Sequence, residues 1–172
     1  MANKIHDLMP ILYKELHQAA EDYFRNHQNN FHTLQPTAVV HEVFLRMSHY
    51  SPDQNFSSKL EFYIAAAQCM RQFLIEYHRR RTAEKRGGEM VRVQMDMNQV
   101  RDKAPDFIDI LELHDALKLL ERSDPQKAEL VKLKFFCGLT LAEVAEILGI
   151  SIATADRWWA YSKAFLALEM GN

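Results

Sequence analysis

Apolar residues recur at helical spacing along most of the chain, and the places where that spacing stops divide it into elements. Leu8, Leu12, Leu16, Ala19 and Tyr23 set the stripe of a first helix from about His6 to Arg25, which the polar run RNHQNN ends. After Pro36, Val39, Val40, Val43, Phe44 and Met47 form the buried face of a second helix. The segment SHYSPDQNFSS, with Pro52, Asp53 and Asn55, breaks the pattern. A third helix, from about Lys59 to Arg86, turns Tyr63, Ala66, Ala67, Met70, Leu74 and Tyr77 inward, and Gly87-Gly88 ends it.

The period then changes. Val91, Val93, Met95 and Met97 alternate with Arg92, Gln94, Asp96 and Asn98, which predicts an extended segment, and Pro105 follows. Helical spacing returns in four pieces, at about Ile108 to Glu121, Pro125 to Phe136, Leu141 to Leu148 and Ile152 to Glu169. The expected fold is all-α, with two small helical domains: residues 1–88 with three helices, a linker over 89–107, and residues 108–172 with four helices. There is no internal repeat.

The stretch LTLAEVAEILGIS is the most informative local pattern. Thr140 suits a helix N-cap, and Leu141, Val144, Ala145 and Leu148 form the stripe of a short helix. Gly149 stops that helix and Ser151 caps the next. Such spacing is that of a helix-turn-helix, but ordinary packed helical hairpins share it. The pattern alone leaves DNA binding and plain packing both open.

Composition excludes several classes. At 172 residues, 48% hydrophobic and 26% charged, the chain has the make-up of one ordinary globular domain or two small ones. No apolar run approaches the roughly 18 residues of a membrane span, and a signal-peptide core is lacking, so a cytoplasmic protein that does not enter a membrane is expected. Cys69 and Cys137 lie far apart in apolar helical contexts, which predicts two buried, reduced thiols. The eight histidines form no HExxH or Glu-x-x-His pair, there is no CxxC, and no glycine-rich phosphate loop or GxSxG occurs. No catalytic residue, cofactor or metal is expected, and the histidines read as scattered and solvated.

The net charge of −2 hides a strong asymmetry. From Arg71 to Arg92 seven Lys/Arg stand against three Glu, whereas from Val93 to Asp115 six Asp/Glu face only Arg101 and Lys103. On the third helix Gln68, Arg71, Gln72, Ile75, His78 and Arg79 follow one another at helical spacing ahead of RRRTAEKR. That face is either a solvated helix end or a surface that tracks phosphates through counterion release. Tyr63 fits the core stripe, so Phe56, in its polar loop, is the better candidate to stack on an unpaired base. On the second helix His41, Glu42, Leu45 and Arg46 lie opposite the apolar stripe. They suit a polar-rimmed protein contact around Leu45 as well as a plain solvent face.

Three strings, TLQPTAVVHEVFLRM (33–47), FYIAAAQCMRQFLIEYHRRRTAEKRGG (62–88) and KAELVKLKFFCGLTLAEVAEILGISIATADRWW (127–159), together resemble bacterial extracytoplasmic-function (ECF) sigma factors. They are most similar to a subgroup marked by TLQPTAxVHE and KRGG, common in planctomycetes and related bacteria. The resemblance covers nearly the whole chain in one order. It implies a region-2 domain, an acidic linker that threads toward the RNA exit path, and a region-4 helix-turn-helix domain.

By that resemblance, His41, Glu42, Leu45 and Arg46 would dock on the clamp helices of the largest subunit of core RNA polymerase. Gln54, Asn55 and Phe56, in the loop 51–58, would hold an extruded base of the promoter −10 element, with Arg71, Gln72, Arg79 and Arg80 meeting the strands beside it. Ser151, Ala153, Thr154, Arg157, Trp158 and Lys163 would serve the −35 element, with small residues at the helix start letting the backbone approach the groove. Subgroup members usually carry a basic residue just before Arg157; here it is Asp156. A carboxylate there repels phosphate unless it reads a cytosine amino group or pairs with Arg157. The implied partners are core polymerase, promoter DNA and, in the absence of a long C-terminal extension, a separate regulator such as an anti-sigma factor. The alternative is a helix-turn-helix regulator that binds DNA without polymerase. An adaptor that binds only protein is the third reading.

Overall fold

In the computed structural model, which describes residues 3–4, 10, 13–18, 21, 35–50, 55–84 and 110–171, almost every described residue is helical. Residues 13–18 are helical and bury Leu16, as the first stripe predicts. Pro36–Tyr50 forms α1, Lys59–Glu84 α2, Ile110–Ser123 α3, Pro125–Phe136 α4, Leu141–Leu148 α5 and Ile152–Met170 α6. The fold is all-α. Its extended backbone among the described residues is one two-residue antiparallel pair, β1 (Asn3–Lys4) with β2 (Asn55–Phe56), which the periodicity does not announce. The linker expected over 89–107 and the loop residue Gln54 lie outside the described residues.

Helix boundaries follow from local chemistry. Pro36 starts α1, where its missing N–H costs nothing. Ser58 Oγ accepts the Glu61 backbone N–H at 3.1 Å, and Glu61 accepts from the backbone and hydroxyl of Ser57, which fixes the start of α2. Asp124 caps α4 by accepting from the Lys127 backbone at 3.1 Å, with Pro125 at the first helical position. This lies one residue after α3 ends, so the two helices pack as an antiparallel pair.

A single apolar core runs through both halves of the chain. The long helix α2 is its axis. α2 packs on α1 to one side, and on α3, α4 and α5 on others. In the C-terminal half α6 lies against α3, α4 and α5, with Leu113, Leu117, Leu120, Leu130, Leu133 and Leu166 fully buried. No helix among the described residues is long and apolar enough to cross a membrane.

Candidate nucleic-acid interface

The helix-turn-helix forms as its residues dictate. Thr140 Oγ1 accepts the Glu143 backbone N–H at 3.3 Å, and Glu143 Oε2 accepts the Thr140 backbone N–H at 2.7 Å, a complete capping box for α5. Gly149 ends α5 at φ 66°, a left-handed conformation in which a Cβ would be strained. The Ile150 backbone N–H donates across the turn to the Ala145 carbonyl at 2.9 Å. Ser151 Oγ then accepts the Thr154 backbone N–H at 3.1 Å and starts α6.

The first turns of α6 present a small, exposed face. Ile152, Ala153, Asp156, Arg157 and Ala160 are exposed, and Ala153, Arg157 and Ala160 share one stripe at helical spacing. Ser151 is also exposed, while Thr154 is half-buried and accepts a bond from Arg157 Nη2 at 3.3 Å. That bond turns the guanidinium back along its own helix. Asp156 is exposed, and among the described residues no ion pair joins it to Arg157.

Trp158 and Lys163 lie elsewhere. Trp158 is half-buried on the flank toward α4, where Lys127 Nζ stands 5.6 Å from its ring centroid and 4.9 Å from that of Tyr161. Lys163 lies over the Trp159 ring at 5.7 Å, and Lys134 stands 5.5 Å from the centroid of the same ring. It is eleven residues past Ile152, about 16 Å along the axis. Burial, reinforced by Lys163, holds the Lys134 ammonium below the ordinary lysine range. These two residues brace α6 and do not join the Ala153–Arg157 stripe.

On α1 the structure separates four residues read as one face. His41 and Leu45 are exposed, Leu45 at 43%, with Glu42 beside them half-buried. Arg46 is committed inward: its Nε donates to Glu42 at 2.8 Å and its Nη2 to Glu76 of α2 at 2.8 Å, with the guanidinium over the Phe73 ring. These bonds raise the Arg46 pKa and hold the Glu76 carboxyl below its usual range. Arg46 therefore fixes the crossing of α1 and α2. The Glu42–Arg46 spacing is visible in sequence, whereas the part played by Glu76 is not.

The expectations at the −10 side need three corrections. Phe56 is not an exposed stacking platform: it is 1% exposed and packs edge-on against Phe62 at 5.1 Å, because the β1–β2 pair pins it over the start of α2. Asn55, one residue earlier on the alternating strand, is exposed instead. Arg71 is likewise not on the open polar face. It is 4% exposed, and its three guanidinium nitrogens reach Glu121 Oε1 (2.7 Å), His114 Nδ1 (3.0 Å) and the His114 carbonyl (3.1 Å) of α3. Ile75 and His78, on the same side of α2, are buried as well. Gln68, Gln72, Arg79 and Arg80 remain exposed. The third correction concerns the histidines, since His78 is buried and His114 half-buried rather than solvated.

Tyr63 is in the core as expected, and its hydroxyl donates to Glu15 Oε2 at 2.7 Å. Both cysteines are buried free thiols, and burial pushes the Cys137 thiol far up. No group of three or more His, Cys, Asp or Glu side chains among the described residues is placed to hold a metal ion.

The exposed features are thus a capped helix-turn-helix with a small leading face, a polar stripe on a long basic helix, and an apolar residue on a polar-rimmed helix. No curated protein and no solved structure matches the chain. A family model described as ECF sigma factor matches it over residues 2–172, so that all three features fall within one match. With that span covered, the chain belongs to the ECF sigma factor family.

Proposed function

We infer that this protein works as its family membership implies, as a sigma factor, a DNA-binding factor of transcription initiation. We propose that it binds core RNA polymerase and directs it to promoters by reading a −35 element with α6 and a −10 element with the segment before α2 and the polar stripe of that helix. The observation that carries this reading is the first turn of α6. Ser151, Ala153 and Arg157 are exposed there behind a rigid capped turn, which lets a helix backbone come close to a major groove. Gln72, Arg79 and Arg80, with Asn55, supply the −10 contacts, and Gln54 belongs with them. His41, Glu42 and Leu45 form the contact with the clamp helices of the largest subunit, with Arg46 holding α1 in place behind them.

The polymerase performs the chemistry, so the factor itself is not an enzyme. Its setting is the cytoplasm, an anti-sigma factor is a fitting regulator, and the TLQPTAxVHE and KRGG strings assign it to the planctomycete-type subgroup.

The deciding experiment is reconstitution. Purified protein mixed with core polymerase should initiate at discrete sites on a genomic fragment library, and neither component should do so alone. Leu45→Asp, which places a charge at the centre of the proposed contact, should co-purify poorly with core while keeping its circular dichroism. Site-selective DNA binding without any core association would instead establish the polymerase-independent regulator.

A further inference from the structure

The leading turns of α6 meet solvent largely with hydrocarbon. Ile152, at the first helical position, is 57% exposed, and Ala153 and Ala160 are exposed as well. Two of the polar side chains beside them bond within the helix. Ser151 Oγ donates to Thr154 Oγ1 at 2.9 Å while accepting the Thr154 backbone N–H, and Arg157 Nη2 reaches the same Thr154 oxygen at 3.3 Å. Asp156, one turn on from Ile152, adds an exposed carboxylate.

An exposed isoleucine on an ordinary surface needs no explanation. At the start of a helix that enters a major groove, the same side chain meets base edges, and its chemistry then matters. Branching at Cβ leaves isoleucine one strongly preferred rotamer in a helix, so the capped turn between Gly149 and Ser151 fixes where its methyl groups stand. The side chain can form no hydrogen bond. Among the groups that the standard bases present in the major groove, the C5-methyl of thymine is the one hydrocarbon. Set over a thymine, the side chain and that methyl remove each other from water. Set over cytosine or adenine, it would strip water from an amino group and offer no partner in return. Both effects favour the same base.

We propose that Ile152 is a specificity-determining residue, which packs on the C5-methyl group of a thymine in the −35 element. The inference rests on the reading of α6 as the helix that enters that element. Ile152 sets one base by hydrocarbon contact. Its role is separate from that of Asp156, whose charge acts on the backbone of every sequence alike.

The test uses the full chain bound to core polymerase. The complex first selects a −35 element from duplexes randomised at that site. Each thymine of the selected duplex, on either strand, is then replaced in turn by deoxyuridine, which removes the methyl group and leaves every hydrogen-bonding group in place. At one position uracil should weaken wild-type binding about three- to fivefold, the effect of losing roughly one buried methyl group. With Ile152→Ala the same replacement should leave affinity unchanged. Ile152 is exposed, so this variant should keep the wild-type circular dichroism; should it fail to fold, Ile152→Ser supplies the comparison. A selected element without thymine, uracil tolerated at every position, or an equal uracil penalty in wild type and variant overturns the assignment. Failure of the complex to select any −35 sequence would remove the parent reading together with this one. A selected element indifferent to its thymine methyl groups would reject the role of Ile152 alone.

Discussion

At residue 56 the chain places a phenylalanine among polar neighbours, and the fold uses it as a wedge under the start of α2. Phe56 is fully buried against Phe62, so Phe56→Ala should lower stability by about 3–5 kcal/mol. A urea midpoint equal to that of wild type would show that this ring does not carry the packing described. Asp156 is the opposite case, an exposed charge that no ion pair engages among the described residues. Because no ion pair ties it to Arg157, the proposed −35 reading gives it mainly repulsion of DNA phosphate. Asp156→Lys should raise affinity for all −35 sequences about equally and steepen the salt dependence by up to about one unit of slope. Binding selection on a randomised −35 element at two salt concentrations checks this. An altered consensus with an unaltered slope would mean that the carboxylate reads a base.

Among the elements, α5 is the most dependent on its ends. Eight residues make barely two turns, too short to be stable alone, so the capping box at Thr140 and the left-handed Gly149 hold the helix-turn-helix in register. Thr140→Ala should cost about 1 kcal/mol by leaving the Glu143 N–H without its cap. A Cβ at Gly149 would meet no heavy atom within 4 Å, so the cost of Gly149→Ala is backbone strain alone, about 1–2 kcal/mol. Chemical denaturation of each variant measures both. A Gly149→Ala protein as stable as wild type would contradict the left-handed turn. α2 differs in kind, since α1, α3, α4 and α5 all pack on it.

Over the whole molecule, the junction of α2 with α3 gives stability a pH dependence whose sign follows from His114. Burial lowers its pKa, Arg71, Lys118 and Arg79 lower it further, and Asp115 opposes them. Neutral Nδ1 accepts from Arg71, whereas a proton there would set two cations 3.0 Å apart. The folded state thus binds fewer protons than the unfolded one. The contribution of His114 is complete above the ordinary histidine value of about 6.5 and is lost as pH falls below it toward the depressed value. Glu121, Glu129 and Lys132 also face the junction. Urea denaturation at a series of pH values should show wild-type protein losing stability on acidification and His114→Ala losing less. Identical pH profiles for the two would remove His114 from the pH dependence.

Local chemistry, readable along the chain, determined the helices of this protein. The spacing of α1, α4, α5 and α6, the caps at Thr140 and Ser151, the glycine stop at 149 and the inward stripe of α2 all depend on residues within about one or two turns of each other. The leading face of α6 was legible for the same reason, since a capped start exposes its first turn by geometry. What lay beyond reach was every role set by a partner distant in sequence. Phe56 is buried by a strand pair with residues 3–4, Arg46 is anchored 30 residues away on Glu76, and Arg71 is enclosed by groups 43 and 50 residues further on. Periodicity reveals that a helix has one apolar side; it does not reveal that a second, polar side is also covered. An arginine in a solvated stripe and an arginine bonded inside a junction have the same neighbours in sequence. Only the tertiary packing, by supplying a carboxylate and an imidazole to desolvated nitrogens, distinguishes them.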